Sequence, residues 1–141
     1  LESTCYLLKD QVLFTGDTLF LAGVGRPDLD ASPAAARQRA HLLYHSLQRL
    51  LMLPPQTLVL PGHTRAPVAF DGVAVTALLV AVREAVGLLG ETEETFVESL
   101  LRRIPPTPPN HQRIVFLNET GAPFAEDPTE LEAGANRCAV A

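Results

Sequence analysis

Two segments of the sequence share a pattern that limits what the chain can form. Residues 12–15 (VLFT) and 57–60 (TLVL) are short runs of residues that favour β-strands. A turn containing glycine and then a single chemically active side chain follow each run, Asp17 after the first and His63 after the second. A carboxylate and an imidazole at the ends of two strands are typical of a metal site. We therefore predict that Asp17 and His63 are metal ligands and that Asp17 also has a catalytic role.

Each of these residues also has a simpler explanation. Asp17 can cap the following turn through a hydrogen bond between its side chain and the backbone, and His63 can be an ordinary surface histidine in a Pro–Gly turn. The two complementary ligand types together favour the metal site. Because two ligands hold a metal poorly, we expect the other half of the site to lie outside this chain.

Composition restricts the class of partner and the location. At 141 residues, the chain is long enough for one ordinary domain with its own core. Its formal net charge of −5 argues against nucleic acid and against an acidic membrane surface, since both need a basic face. No apolar run is long enough for a membrane span, and no signal peptide is visible. Cys5 and Cys138 fit reduced thiols, so we predict a cytoplasmic protein.

The order of predicted elements is strand, strand, helix, strand and then several helices, which is typical of a layered α/β domain. The predicted strands are residues 4–8, 12–15 and 57–60, and the first two form a hairpin. The predicted helices are residues 33–53, 72–89, 93–103 and 111–117. Residues 16–31 are predicted to be a long irregular loop. Three strands under several helices leave apolar faces that need a partner.

Further expectations concern burial and helix ends. The first two strands are nearly continuous in apolar residues, so we expect cover on both faces. The helix at residues 72–89 carries little charge and is expected to be buried on most sides. Ser32, Thr92 and Asn110 are predicted N-caps, and the last helix should end at Gly121. The tail after that helix is expected to wrap over the surface.

Arg26 follows a glycine-rich stretch in the predicted loop and has two interpretations. Its guanidinium can bind a substrate carboxylate as a two-pronged donor. It can equally pair with Asp28 or Asp30 nearby. The sequence leaves both open, and we keep Arg26 as the candidate substrate-binding residue.

The other candidate side chains do not form a recognisable catalytic pattern. His41 and His45 are spaced as one face of a helix, but Leu42 stands where a zinc protease has its glutamate. We interpret them as a solvated pair or as a contact between layers. His111 has no partner that the sequence identifies. Neither a Gly-x-Ser-x-Gly elbow nor a Cys-x-x-Cys motif is present.

Four segments together resemble a known family. They are residues 14–20 (FTGDTLF), 25–29 (GRPDL), 43–47 (LYHSL) and 60–63 (LPGH). The resemblance is to the C-terminal half of metallo-β-lactamase-fold proteins, in the branch that contains persulfide dioxygenases and glyoxalase II. Residues 135–138 (ANRC) also resemble the tail of the persulfide dioxygenase group.

The resemblance implies half of an αββα sandwich with metal at one edge of its sheets. Residues 1–141 would be the C-terminal part of one such domain, without the N-terminal half that carries the His-x-His-x-Asp-His motif. Asp17 would be the carboxylate ligand, which bridges two metals in dinuclear members. His63 would match the last histidine, a ligand of the second metal in the hydrolases and not a direct ligand in the dioxygenases.

These implications set the expected function and its alternatives. The expected activity is that of a metal-dependent enzyme acting on a small thiol- or glutathione-linked substrate, most like a persulfide dioxygenase. The alternative is a dinuclear-metal hydrolase, namely a hydroxyacylglutathione hydrolase or another thioesterase. The cofactor would be Fe(II) or Zn(II), as one or two ions. A second alternative is a non-catalytic fragment that needs a partner, either the missing half or another copy of the chain.

Overall fold

Two separate β-sheets and four α-helices make up the part of the chain that the structure describes. The structure is a computed structural model. It describes residues 3–64, 68–107, 109–123, 127, 131 and 139–140.

The larger sheet has four strands in the order β1-β2-β5-β6. These strands are β1 (Tyr6–Leu8), β2 (Val12–Gly16), β5 (Leu58–Pro61) and β6 (Ala77–Leu78). Strands β1 and β2 are antiparallel, as the predicted hairpin requires. The turn between them contains Lys9 and Asp10, both at positive φ (49° and 54°), a backbone geometry that suits tight hairpin turns. Strands β2 and β5 are parallel, and this pairing positions the candidate site.

The smaller sheet was not predicted. It consists of β3 (Leu19–Phe20), β4 (Gly23–Gly25) and β7 (Ala139–Val140), all antiparallel. The expectation of an irregular loop over residues 16–31 is therefore wrong in its first half. Two- and three-residue strands are too short to show a period in sequence.

The end of the chain contributes to this smaller sheet. Residues 124–126, 128–130, 132–138 and 141 lie outside the described residues, so most of the tail prediction falls on them. Val140, however, pairs with Val24 and is buried. At this position the expected surface location is wrong.

Three of the four predicted helices are confirmed, and their ends follow local capping. They are α1 (Pro33–Leu51), α3 (Glu93–Arg103) and α4 (His111–Thr120). Ser32 caps α1 by accepting from the backbone of Ala35, and Thr92 caps α3 in the same way. Helix α4 ends at Gly121 with φ of 63°, the left-handed conformation that favours glycine there. Asn110 does not cap α4, since its side-chain amide instead donates to the carbonyl of Leu131 at 3.2 Å.

The predicted helix over residues 72–89 is wrong in its first part. The chain instead forms strand β6, then the short helix α2 (Leu79–Ala85) and a 3₁₀ turn (Gly87–Gly90). Strand β6 pairs with β5, and the Thr76 hydroxyl donates to the carbonyl of Val59 at 2.9 Å. Pairing with an existing strand thus overrides helix propensity here. In α2 only Leu79 and Val82 are buried, so the expected burial on most sides is also wrong.

The core lies on one face of the larger sheet. Leu13, Thr15 and Val59 point into this face and are fully buried, together with helix residues such as Phe96 and Leu100. The side chains that alternate with these along the strands are exposed, namely Tyr6, Leu8, Phe14, Leu58 and Leu78. The expectation that the first two strands are covered on both faces is wrong within this chain. Among the described helices, none has the length and apolar character needed to cross a bilayer.

Candidate metal centre

The parallel pairing of β2 and β5 brings the two predicted ligands to the same edge of the sheet. Gly16 at the end of β2 is opposite Pro61 at the end of β5. The N–H of Gly62 donates to the carbonyl of Gly16 at 2.9 Å and extends the pairing by one step. Since both strands end here, the next side chains, Asp17 and His63, leave the sheet side by side.

Asp17 and His63 are in direct contact. Their Oδ1 and Nδ1 atoms lie 2.6 Å apart, so the imidazole N–H donates to the carboxylate. Both side chains are accessible, with 54% of the Asp17 side chain and 42% of the His63 side chain exposed. The ring of Phe20 meets the imidazole edge-on at a centroid distance of 6.3 Å. The two residues that the sequence singled out therefore form one accessible pair.

Glycine at two positions makes this close approach possible. Gly16 has φ of 49°, a conformation that side-chain-bearing residues rarely adopt. A Cβ on Gly62 would lie 3.0 Å from the carbonyl of Gly16 and 3.2 Å from the Asp17 carboxylate oxygen. A side chain at Gly62 would therefore force neighbouring atoms to move by a few tenths of an ångström. Both glycines thus favour the close approach of the two segments.

Two hydroxyl groups that the sequence analysis did not select support the same edge. The Thr15 hydroxyl is buried and contacts the carbonyls of Leu19 (2.6 Å) and Leu60 (3.3 Å). The N–H of Asp17 donates to the Ser3 hydroxyl at 3.2 Å. In sequence, Thr15 reads as an ordinary strand residue, and Ser3 lies far from Asp17. Only the tertiary fold reveals their roles.

The ligand types fit a metal, but their number does not complete a site. A carboxylate and an imidazole suit zinc or iron. The contact between them also resembles the arrangement in which a carboxylate orients a histidine whose other ring nitrogen binds metal. Within the described ranges, no group of three or more His, Cys, Asp or Glu side chains is placed to hold an ion. By themselves, Asp17 and His63 therefore do not make a complete metal site within the described residues.

Arg26 is held by the protein itself. Its Nε and one terminal nitrogen donate to the two carboxylate oxygens of Asp28 at 2.8 and 2.7 Å. Its guanidinium also donates to the carbonyls of Pro105 (2.9 Å) and Pro106 (3.2 Å). Only 3% of the side chain is exposed. Of the two interpretations, the structure shows the pairing with Asp28, and a substrate carboxylate would have to displace these contacts.

The remaining histidines join elements of the fold. His41 and His45 on α1 lie 2.7 and 3.1 Å from the same oxygen of Glu93 on α3, so the two histidines form a contact between two helices. His111 does have a partner, Asp30, at 3.2 Å. The sequence could not identify this pair because 81 positions separate the two residues.

The charged partners also set the pKa of Glu93. The hydrogen bond from His41 lowers it most, partial desolvation opposes this, and the charges of His45 and His41 lower it further. The net result is a pKa below the ordinary value for glutamate.

Cys5 carries a free thiol. Its Sγ lies 3.6 Å from the carbonyl of Thr15, and it lines a cavity of about 450 Å³ together with Ser46 and Arg49. This cavity includes neither Asp17 nor His63. Cys138 lies outside the described residues.

Comparison with known proteins places these residues in a family context. Residues 3–63 match the family model described as the metallo-beta-lactamase superfamily, and this span includes both Asp17 and His63. Hydroxyacylglutathione hydrolase of Shewanella loihica is 46% identical over 67 residues, which are 46% of this chain and 22% of that protein. The hydroxyacylglutathione hydrolase of Tolumonas auensis is 49% identical over 51 residues, which are 36% of this chain and 17% of that protein. The chain spans only about a fifth of the length of these curated relatives.

A solved structure shares the fold. A metallo-beta-lactamase from Staphylococcus aureus superposes with a TM-score of 0.66 at 25% sequence identity. The match covers 82% of this chain and 33% of the solved chain. The chain therefore shares the metallo-β-lactamase fold, and residues 3–63 are similar to the metallo-beta-lactamase superfamily.

Proposed function

We propose that this chain supplies Asp17 and His63 to the metal centre of a hydrolase that cleaves a glutathione thioester. The observation that carries the proposal is the 2.6 Å contact between these two side chains at the edge of the sheet. Both residues lie within the segment matched by the superfamily model. Two ligand-type side chains that are already in contact need little rearrangement to share an ion or to orient one another around it.

The hydrolase is now preferred over the persulfide dioxygenase. The curated relatives that match this chain are named hydroxyacylglutathione hydrolase. The dioxygenase prediction rested on the resemblance of residues 135–138, which lie outside the described residues, and on a sequence after His63 that lacks the Glu-Tyr-Thr typical of glyoxalase II. It stays a prediction that the same experiment tests.

The superfamily implies metal ions, and zinc is our proposal for the ion. Carboxylate and imidazole ligands suit zinc, which supplies a Lewis acid able to activate water at neutral pH. In the proposed centre Asp17 holds the ion through its carboxylate. His63 remains beside it, either as a second ligand or, through its hydrogen bond, as the group that orients Asp17.

The remaining ligands are proposed to come with a second layer of structure. The exposed apolar face of the larger sheet, defined by Tyr6, Leu8, Phe14, Leu58 and Leu78, borders the edge that carries Asp17 and His63. Sheets in layered domains bury both faces, and the chain corresponds to a third of the solved metallo-beta-lactamase. We propose that polypeptide corresponding to the rest of that fold, or a second copy of this chain, covers this face and completes the site.

An activity assay with defined metals tests the proposal. The assembly that includes the polypeptide covering the exposed sheet face is loaded separately with Zn²⁺ and Fe²⁺. It is assayed for hydrolysis of a hydroxyacylglutathione and for O₂ consumption with glutathione persulfide. We expect zinc-dependent thioester cleavage that is lost in Asp17→Asn. The matched control is Asp10→Asn, which makes the same chemical change in the exposed turn before β2.

The other outcomes are equally decisive. Iron-dependent O₂ consumption without thioester cleavage would establish the dioxygenase instead. Absence of both activities in protein that binds metal would favour a non-catalytic role. Cleavage that persists in Asp17→Asn would show that this carboxylate is not part of the centre.

A further inference from the structure

The backbone of Asp17 is supported from behind by strand β4. The N–H of Gly25 donates to the carbonyl of Thr18 at 3.1 Å. Gly25 is buried, and a Cβ built on it would overlap the carbonyl oxygen of Asp17. The contact is therefore backbone against backbone, with no side chain between. Where β4 lies determines where Asp17 lies.

Arg26, the residue that follows Gly25, fixes the end of β4. Its guanidinium forms a two-pronged ion pair with Asp28 and donates to the carbonyls of Pro105 and Pro106. The two prolines follow helix α3, about eighty positions away in sequence. Arg26 thus ties the segment beside Asp17 to a distant part of the fold.

The ion pair is largely buried, and this burial strengthens the attachment of the segment. A buried guanidinium must keep its partners, because a charge left unpaired away from water is costly. Burial by itself would raise the pKa of Asp28, but the hydrogen bonds and the charge of Arg26 outweigh it, and the pKa is below its ordinary value. Asp28 therefore stays ionised opposite Arg26 at neutral pH. A shift of the segment would take the buried guanidinium away from the carbonyls of Pro105 and Pro106.

The same loop offers a natural comparison. Arg39 on α1 donates to the carbonyl of Leu29 at 2.7 Å. Arg39 anchors the loop at Leu29, three residues beyond Arg26, and this hydrogen bond involves neither β4 nor the ion pair of Arg26. A change at Arg39 loosens the loop without releasing Gly25 from Asp17.

From these contacts we infer that Arg26 is a positioning residue for Asp17. Its ion pair with Asp28 and its bonds to Pro105 and Pro106 hold Gly25 against the Asp17 backbone, and so keep the Asp17 carboxylate on His63. The inference rests on the proposed function in so far as Asp17 is a metal ligand. It gives Arg26 a role in the site without contact with substrate, in place of the substrate-binding role predicted from sequence.

If Arg26 only stabilised the fold, a different result would be expected. Its removal would lower the free energy of unfolding but leave the folded site unchanged. The discriminating quantity is therefore the environment of His63 in protein that remains folded. The ring nitrogens of His63 report the hydrogen bond to Asp17 directly, and His41 and His45, paired with Glu93 on the other elements, serve as internal references.

The experiment compares Arg26→Gln, Arg26→Lys and Arg39→Gln by ¹⁵N NMR of labelled histidine in metal-free protein. The His63 signal is assigned with His63→Gln. We expect the His63 ring signals to move in both Arg26 variants, since lysine keeps the charge but cannot form the two-pronged pair. They should stay in place in Arg39→Gln. If Arg26→Gln does not fold, Arg26→Lys and Asp28→Asn make the same comparison.

The outcomes separate this inference from the proposed function. Unchanged His63 signals in a folded Arg26 variant overturn the positioning role. Titration with Zn²⁺ then tests the metal site: we expect it to perturb His63 in the original protein, with affinity about tenfold to a hundredfold weaker in Arg26→Gln. If Zn²⁺ leaves His63 unaffected in the original protein, the proposed function falls, and the metal-free comparison still decides the role of Arg26.

Discussion

At the scale of single residues, the contact between Asp17 and His63 depends on glycines beside it as much as on the two side chains themselves. Gly62 lies just beyond β5, next to the end of β2, and an added Cβ would lie 3.0 Å from the Gly16 carbonyl. The same Cβ would lie 3.2 Å from a carboxylate oxygen of Asp17. Asp17 and His63 were predictable because their chemistry is visible in sequence. The requirement for Gly62 was not, because it depends on which strands are adjacent.

Replacement of Gly62 by alanine should therefore disturb both stability and the site. The added methyl group must push backbone atoms apart, at a cost of about 1–3 kcal/mol in the free energy of unfolding. It should also change the His63 environment, because Asp17 lies on the same side. Urea denaturation and the His63 ring signals measure the two effects. Gly90→Ala is the control, since a Cβ there meets no atom within 4 Å. Equal stability of the two variants would contradict the close approach of Gly62 to Gly16 and Asp17.

At the scale of elements, strand β2 has a buried side and an exposed side. Leu13 is 1% exposed and Phe14 is 42% exposed, although both belong to the same apolar run. The sequence predicted two covered faces because the run shows no alternation. The structure shows that the apolar residues of the second face have no cover within the described chain.

Alanine substitutions on the two faces of β2 should lower the stability of the protein by different amounts. Leu13→Ala empties a packed site and should cost about 2–5 kcal/mol. Phe14 lies opposite Tyr6 on the exposed face, and Phe14→Ala should cost about 1 kcal/mol or less. Chemical denaturation of each variant measures both losses. A larger loss for Phe14→Ala would mean that the second face is already covered in solution, by another copy of the chain.

Helices α1 and α3 are joined by Glu93, which contacts both His41 and His45. The pKa of Glu93 is below 4.5, the ordinary value for glutamate, with the hydrogen bond from His41 as the largest cause. A lowered folded-state pKa means that ionised Glu93 stabilises the fold above pH 4.5 and that this contribution disappears as the pH falls through the folded-state pKa.

The pH dependence of Glu93→Gln checks this contact. The variant should be less stable than the original protein at about pH 5.5, and the difference should shrink below pH 4.5. Thermal unfolding over this range measures it. Glu94→Gln is the matched control, an adjacent glutamate in the same first turn of α3. An equal loss in both variants would assign the effect to the helix dipole and not to the histidines.

At the scale of the whole molecule, sequence reasoning succeeded where local chemistry determined the result. Helix α3 has the predicted bounds because Thr92 and the two arginines of its last turn mark its ends. Prediction from sequence failed where pairing with distant residues determined the secondary structure. Residues 77–78 joined β5 as a strand, and residues 139–140 joined β4 from the far end of the chain. The propensity of a short segment does not show which distant strand it will pair with in the folded protein.

The same contrast between local chemistry and pairing with distant residues applies to the candidate site. The strand-end pattern and the family resemblance predicted Asp17 and His63, and the parallel pairing of β2 with β5 brought them together. The supports of the pair, Ser3 and Thr15, act through backbone carbonyls and amides at a distance in sequence. Their residue types give no signal of that role.

The central claim is that Asp17 and His63 act together on one metal ion, and zinc affinity measured across a double-mutant cycle tests it most directly. Asp17→Asn and His63→Gln should each weaken Zn²⁺ binding by at least about tenfold. The double variant should lose less than the product of the two effects, because both residues serve the same ion. His111→Gln, a histidine paired with Asp30 instead, should bind zinc like the original protein. Zinc affinity that is unchanged in either single variant would contradict the account.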